Sequence, residues 1–209
     1  MTRVKICGLT DPDLVGLAAR EGADWIGFMF PEGSPRRVTL AGAASLLLHV
    51  GKAVPVAVLV NAGDAEIDAV AALGFPVLQL HGAETPERVA EIKARTGCEV
   101  WKALGVASRV HLDLASTYTA ADRLLIDAKP PDGAGQAGGH GTAFDWAILK
   151  GWTAPKPWLL AGGLNPGNVA AAILETGANA VDVSSGVERV RGLKDRDLVR
   201  AFLRAAKGQ

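Results

Sequence analysis

The chain has 209 residues, of which 49% are hydrophobic and 21% charged, a length that fits one hydrophobic core, so a single domain over residues 1–209 is expected. Its 22 Lys and Arg balance 22 Asp and Glu, and this excludes a global field able to hold nucleic acid or an anionic membrane surface. A local positive pocket for a small anion is compatible with that balance. The opening Met1-Thr2-Arg3-Val4-Lys5 lacks a signal-peptide core, and no run reaches the roughly 18 apolar residues of a membrane span. Cys7 and Cys98 make neither a disulfide framework nor a metal cluster. The expectation is a reduced, cytoplasmic chain, monomeric for want of surplus apolar surface, with no metal and no nucleic-acid or membrane partner.

Short apolar runs alternate with Ala-rich amphipathic stretches. In chain order, strand Val4–Cys7 precedes helix Asp13–Arg20, Trp25–Phe30 precedes Leu40–His49, and Val54–Val60 precedes Ala65–Leu73. Val77–Leu80 then precedes Pro86–Arg95, Val100–Ala103 precedes Arg109–Tyr118, and Leu124–Asp127 precedes Phe144–Leu149. Trp158–Ala161 precedes Pro166–Glu175, and Ala180–Ser184 precedes Lys194–Ala206. Continuous apolar strands are the mark of parallel sheets buried on both faces. Thr85-Pro86 and Asn165-Pro166 each place a capping residue before proline at a first helical position, and Gly22, Gly74, Gly97 and Gly177 stand where helices should stop. Eight βα repeats favour an α/β fold of the (β/α)8 TIM-barrel type, with a doubly wound sheet as the alternative. Two connections are long for so short a barrel, Pro31–Arg37 and the glycine-rich Lys129–Ala143, and loops of that kind are usually functional or mobile.

Barrel active sites form at the C-terminal ends of the strands. There the sequence puts Cys7 after strand one, Arg36 after strand two, His81 after strand four and Asp127 at the end of strand six. Asp182 lies in strand eight. Cysteine commonly packs as a small hydrophobe, and His81 can be an ordinary turn residue. An aspartate closing an apolar strand must be hydrogen-bonded or functional, and an arginine beside the pocket suits an anionic substrate. Cys98 reads as structural, and His49 and His111 as surface or packing residues.

The ends of strands seven and eight, Ala161-Gly162-Gly163-Leu164-Asn165 and Ser184-Ser185-Gly186-Val187-Glu188, carry a more specific signal. Barrels often bind phosphate there, because glycine lets backbone N–H groups approach the anion and a helix N-terminus favours negative charge. Gly162, Gly163, Ser185 and Gly186 are therefore candidate phosphate-binding residues. No GxGxxG follows the first strand, and no HExxH or CxxC is present, so neither a dinucleotide nor a metal is indicated. What remains is cofactor-free acid–base chemistry on a phosphorylated substrate, with Cys7 the candidate base or nucleophile and Asp127 the candidate acid.

At these residues the sequence resembles the phosphoribosylanthranilate isomerase family. The matching segments are Val4-Lys5-Ile6-Cys7-Gly8-Leu9-Thr10, Gly27-Phe28-Met29-Phe30 with Ser34-Pro35-Arg36, Leu78-Gln79-Leu80-His81-Gly82, Gly141 with Phe144-Asp145-Trp146, Leu160-Ala161-Gly162-Gly163-Leu164-Asn165-Pro166 with Asn168-Val169, and Val181-Asp182-Val183-Ser184-Ser185-Gly186-Val187-Glu188 with Gly192-Leu193-Lys194-Asp195. The resemblance implies an Amadori rearrangement of N-(5-phosphoribosyl)anthranilate in tryptophan biosynthesis. It makes Cys7 the general base and Asp127 the general acid, Arg36 the ligand of the anthranilate portion with Asp182 nearby, and Gly162, Gly163, Ser185 and Gly186 holders of the phosphate. His81 joins the candidate substrate-binding residues. One segment departs from the family pattern: Gly-Gly-Thr-Gly-Lys-Thr-Phe-Asp-Trp appears as Gly138-Gly139-His140-Gly141-Thr142-Ala143-Phe144-Asp145-Trp146. Two rivals stand beside this reading. A histidine-pathway isomerase does the same chemistry with aspartate at the end of strand one, against which Cys7 argues. A non-catalytic phosphate-binding barrel would need neither Cys7 nor Asp127.

Overall fold

A computed structural model describes residues 1–128 and 146–208. Eight parallel strands close into a barrel in sequence order, β1 Arg3–Cys7, β2 Trp25–Met29, β3 Val54–Leu59, β4 Val77–Leu80, β5 Glu99–Val106, β6 Arg123–Ala128, β7 Trp158–Ala161 and β8 Ala180–Val183. Closure is made by β8 on β1, where Lys5 lies beside Asp182. Helices α1 Pro12–Arg20, α2 Leu40–Leu47, α3 Asp64–Ala71, α4 Pro86–Thr96, α5 Val169–Thr176 and α6 Arg196–Lys207 surround it, and the expected (β/α)8 architecture is the one observed. After β8 the chain adds a short antiparallel pair, β9 Glu188–Val190 and β10 Leu193–Lys194.

Local chemistry sets the helix limits. The Asp11 carboxylate accepts from the N–H groups of Asp13 and Leu14 at 2.8 and 3.1 Å, Thr85 caps α4 and Asp195 caps α6 in the same way. Each satisfies donors that the first helical turn leaves free. Gly97 and Gly177 end α4 and α5 with φ of 68°, a conformation costly for other residues.

Because side chains alternate across a strand, each barrel strand sends every second residue inward. The interior is packed by Trp25, Val56, Val77, Trp101, Ala103, Leu125, Leu159, Ala161 and Ala180. The larger cluster fills the layer between sheet and helices. At the N-terminal end, Trp25 and Trp101 meet edge to face at 5.2 Å, with the Arg3 guanidinium 3.7 Å from the Trp25 ring centroid. Trp25 and Trp101 fill this end of the interior, and the cavity lined by the strand ends lies at the opposite, C-terminal mouth.

Three expectations require correction. The stretch Arg109–Tyr118 is a 3-10 helix, Arg109–Thr117, where Ser116 and Thr117 hydroxyls bond carbonyls three residues back and His111 Nδ1 accepts from Ala107 and Ser108 N–H. Such local side-chain bonding competes with the α-helical ladder. Asn165 does not cap α5, which begins at Val169; its Oδ1 accepts from Gly167 N–H and its own N–H donates to Asn168 Oδ1, so both asparagines shape the loop after β7. Lys194 is strand, not helix, because Asp195 starts the last helix after it. Residues 146–149 form a short 3-10 turn, while the loop Lys129–Ala143, His140 and Thr142 included, and residues 144–145 lie outside the described residues.

Candidate active site

The C-terminal mouth opens into a cavity of about 310 Å³. Cys7, Arg36, His81, Asp127, Gly162, Gly163, Asp182, Ser185 and Gly186 all line it, so the structure brings together every candidate site residue chosen from the sequence. Met29, Val58 and Ala161 supply an apolar wall.

Cys7 and Asp127 are the last inward positions of β1 and β6, and each lies in register with a glycine on a neighbouring strand, Gly27 and Gly105. Glycine there leaves room beside the reactive side chain. A Cβ built on Gly27 would stand 2.7 Å from Cys7 Sγ and 3.0 Å from Lys5 Nζ. Cys7 is buried, and burial pushes its thiol above the ordinary value, while Lys5 and Lys194 pull it back. The cations that favour the thiolate are present, but desolvation outweighs them.

Asp127 is more open, with 26% of its side chain exposed, and its Oδ2 stands 3.3 Å from His81 Nε2. His81 Nδ1 in turn meets Gln79 Nε2 at 2.9 Å. A Gln79 amide donating to Nδ1 puts the imidazole proton on Nε2, facing Asp127. Gln79 is buried, and its Oε1 has no hydrogen-bond partner among the described residues.

Arg36 is fixed in place by Glu188, which accepts from Nε and, at 2.7 Å, from Nη2. Glu188 also accepts from Lys194 Nζ at 2.8 Å and Gly192 N–H at 3.0 Å. Burial alone would raise the Glu188 carboxyl, but the Arg36 and Lys194 hydrogen bonds hold it at about 2. Gly8 permits this packing, since a Cβ at that position would fall 2.6 Å from Arg36 Cδ. No described residue accepts from Arg36 Nη1, which keeps donors for an incoming anion.

The loops after β7 and β8 are packed back to back, and a Cβ on Gly186 would stand 1.8 Å from the Leu164 carbonyl oxygen. The carbonyl of Gly163 is turned to Asn168 Nδ2 at 3.0 Å. A short 3-10 turn, Ser185–Val187, begins here, and the N–H groups of Gly163, Ser185 and Gly186 donate to no described group. That arrangement of free amides and glycine suits an oxyanion. Among the described residues no group of His, Cys, Asp and Glu has the makings of a metal site.

Sequence reasoning passed over Lys5, Gln79, Glu188 and Lys194. The missed signal for Lys5 and Gln79 is their alternation with Cys7 and His81, since a polar residue two positions before a mouth residue faces the same interior. Glu188 gave no local signal, because its partner Arg36 is 152 residues away in sequence, and Lys194 reads as a surface charge until its contact with Glu188 is seen.

A profile of the N-(5'phosphoribosyl)anthranilate (PRA) isomerase family matches residues 4–205. The N-(5'-phosphoribosyl)anthranilate isomerase of Hyphomonas neptunium is 69% identical over 207 residues, covering 99% of this chain and 98% of that one. The crystal structure of phosphoribosyl anthranilate isomerase from Thermotoga maritima has a TM-score of 0.90 at 36% identity, with 100% of both chains covered. A phosphoribosyl anthranilate isomerase in complex with reduced 1-(o-carboxyphenylamino)-1-deoxyribulose 5-phosphate has a TM-score of 0.85 at 33% identity, again with 100% of both chains covered. The chain therefore belongs to the phosphoribosylanthranilate isomerase family, isomerases of tryptophan biosynthesis built on a (β/α)8 barrel.

Proposed function

We propose that this enzyme converts N-(5-phosphoribosyl)anthranilate to 1-(2-carboxyphenylamino)-1-deoxyribulose 5-phosphate, with Asp127 as general acid and Cys7 as general base and with no cofactor. The observation that carries the reading is the single cavity that holds Cys7, Asp127, Arg36 and the two glycine-rich loops together. The phosphate is held by the N–H groups of Gly163, Ser185 and Gly186, with Gly162 allowing the close approach. The anthranilate carboxylate meets the Arg36 Nη1 edge. Asp182, whose Oδ1 is taken by Lys5, borders the same end with its other oxygen.

Asp127 gives a proton from its carboxyl group to the furanose ring oxygen. The C1′–O bond breaks toward that oxygen and leaves a Schiff base between C1′ and the anthranilate nitrogen. The Asp127 side chain is partly open to water in the mouth, and substrate filling the cavity displaces that water. His81 Nε2–H steadies the carboxylate that results. Cys7, as thiolate, takes the C2′ proton; the electron pair forms C1′=C2′ and the iminium electrons return to nitrogen. The enolamine then loses its C2′ hydroxyl proton and gains one at C1′, giving the ketone. Nitrogen is the electron sink throughout, so these two side chains suffice.

The test follows the loss of substrate fluorescence with EDTA present. Wild-type turnover is expected, and Cys7→Ser and Asp127→Asn should each lower kcat by roughly 10² to 10⁴-fold. Either variant turning over within a few-fold of wild type would remove that residue from its role.

A further inference from the structure

We propose that Lys5, paired with Asp182 inside the barrel, is the positioning residue that brings Cys7 to its thiolate form. This rests on Cys7 being the base. Lys5 is fully buried, its ammonium donates to Asp182 Oδ1 at 2.9 Å, and the two residues are register partners across the β1–β8 seam. Alternation along β1 turns Lys5 and Cys7 to the same side. The bare Cα of Gly27 opens the space in which Nζ and Sγ meet, and their distances from a Cβ built there put them within about 6 Å of each other, the range in which an opposite charge favours the ionised form of a neighbour.

Charged groups of both signs surround the thiol. Lys5 from β1, Arg36 from the loop after β2 and Lys194 from β10 are cations, while Asp182 from β8 and Glu188 from β9 are anions. Arg36 and Lys194 are both answered by Glu188, and Lys5 by Asp182. Asp127 and His81 face the same cavity from β6 and the end of β4. Three cations thus stand against three carboxylates, Asp127 included, and Lys5 is the cation that shares the inward face of β1 with the thiol. Burial raises the Cys7 thiol; Lys5 is the largest opposing influence, and Asp182 works in the thiol's favour.

The test measures the pH dependence of iodoacetamide alkylation at Cys7, read by mass spectrometry so that Cys98 is scored separately. Lys5→Met should move the Cys7 inflection upward by roughly 1–3 units. Asp182→Asn, which keeps the cation and removes its anion, should move it downward. The kcat/KM profile should shift in the same directions, which loss of packing alone does not produce. An unmoved inflection in Lys5→Met, or movement of both variants in one direction, overturns the proposal. Should Lys5→Met fail to fold, Asp182→Asn decides alone, and any result other than a downward shift overturns it. Turnover surviving in Cys7→Ser would remove Cys7 as base, yet the alkylation inflection would still report whether Lys5 controls the thiol.

Discussion

Cys7 Sγ occupies the space that a side chain at Gly27 would need, with a Cβ there only 2.7 Å from the sulfur and 3.2 Å from the Cys7 backbone Cα. Gly27→Ala must therefore displace the thiol, Lys5 or strand β1 itself. Overpacking of this kind costs roughly 1–3 kcal/mol of stability, and a reacting group moved by about 1 Å loses on the order of 10² in rate. Paired measurements of thermal unfolding and kcat should show a modest loss of the first and a large loss of the second. Near-normal kcat would mean that the thiol does not need its present position.

Glu188 orients Arg36, so Glu188→Gln should act on substrate binding more than on chemistry. Its side chain is only 4% exposed and answers two cations. With a neutral amide, Arg36 loses its charged bidentate anchor. A KM raised by roughly tenfold or more, with kcat changed much less, is the expected steady-state result. A fall confined to kcat would place Glu188 in the chemical step instead.

The same carboxylate gives a pH signature. Its folded value of about 2 lies below the ordinary 4.5, so its contribution to stability is fully present above that ordinary value and is lost as pH falls toward 2. Urea midpoints measured from neutral pH downward should fall through this window in the wild type. Glu188→Gln should be less stable at neutral pH and flatter below pH 4.5. Parallel curves would show that Glu188 contributes nothing to acid sensitivity.

Gly186 is the contact between the loops after β7 and β8. A methyl group 1.8 Å from the Leu164 carbonyl oxygen cannot be accommodated without separating them. Gly186→Ala should raise KM and weaken inhibition by inorganic phosphate while leaving Cys7 alkylation unaltered. Unchanged phosphate inhibition would move the anion site away from these loops.

The barrel was legible because each strand is an apolar run closed by a turn signal, and because Cys7 and Asp127 are reactive side chains at the ends of such runs. The helices were legible where a cap announced them, as at Thr85-Pro86. Asn165-Pro166 misled because its side chain is spent on the loop that frames Gly163. Lys5 went unread because a lysine in a strand suggests solvent; only its buried partner Asp182, 177 residues away, explains it. Arg36 was visible as a cation, but what holds it was not, since Glu188 and Lys194 look locally like surface charges.

The division of labour between Asp127 and Cys7 is tested most directly with substrate deuterated at C2′ of the ribose, in single-turnover reactions of Cys7→Ser and Asp127→Asn. If Cys7 removes the C2′ hydrogen and Asp127 opens the ring, Cys7→Ser makes hydrogen removal rate-limiting and shows a full primary isotope effect. In Asp127→Asn ring opening becomes limiting and the effect is suppressed. A full effect in Asp127→Asn with none in Cys7→Ser would contradict the assignment of acid and base.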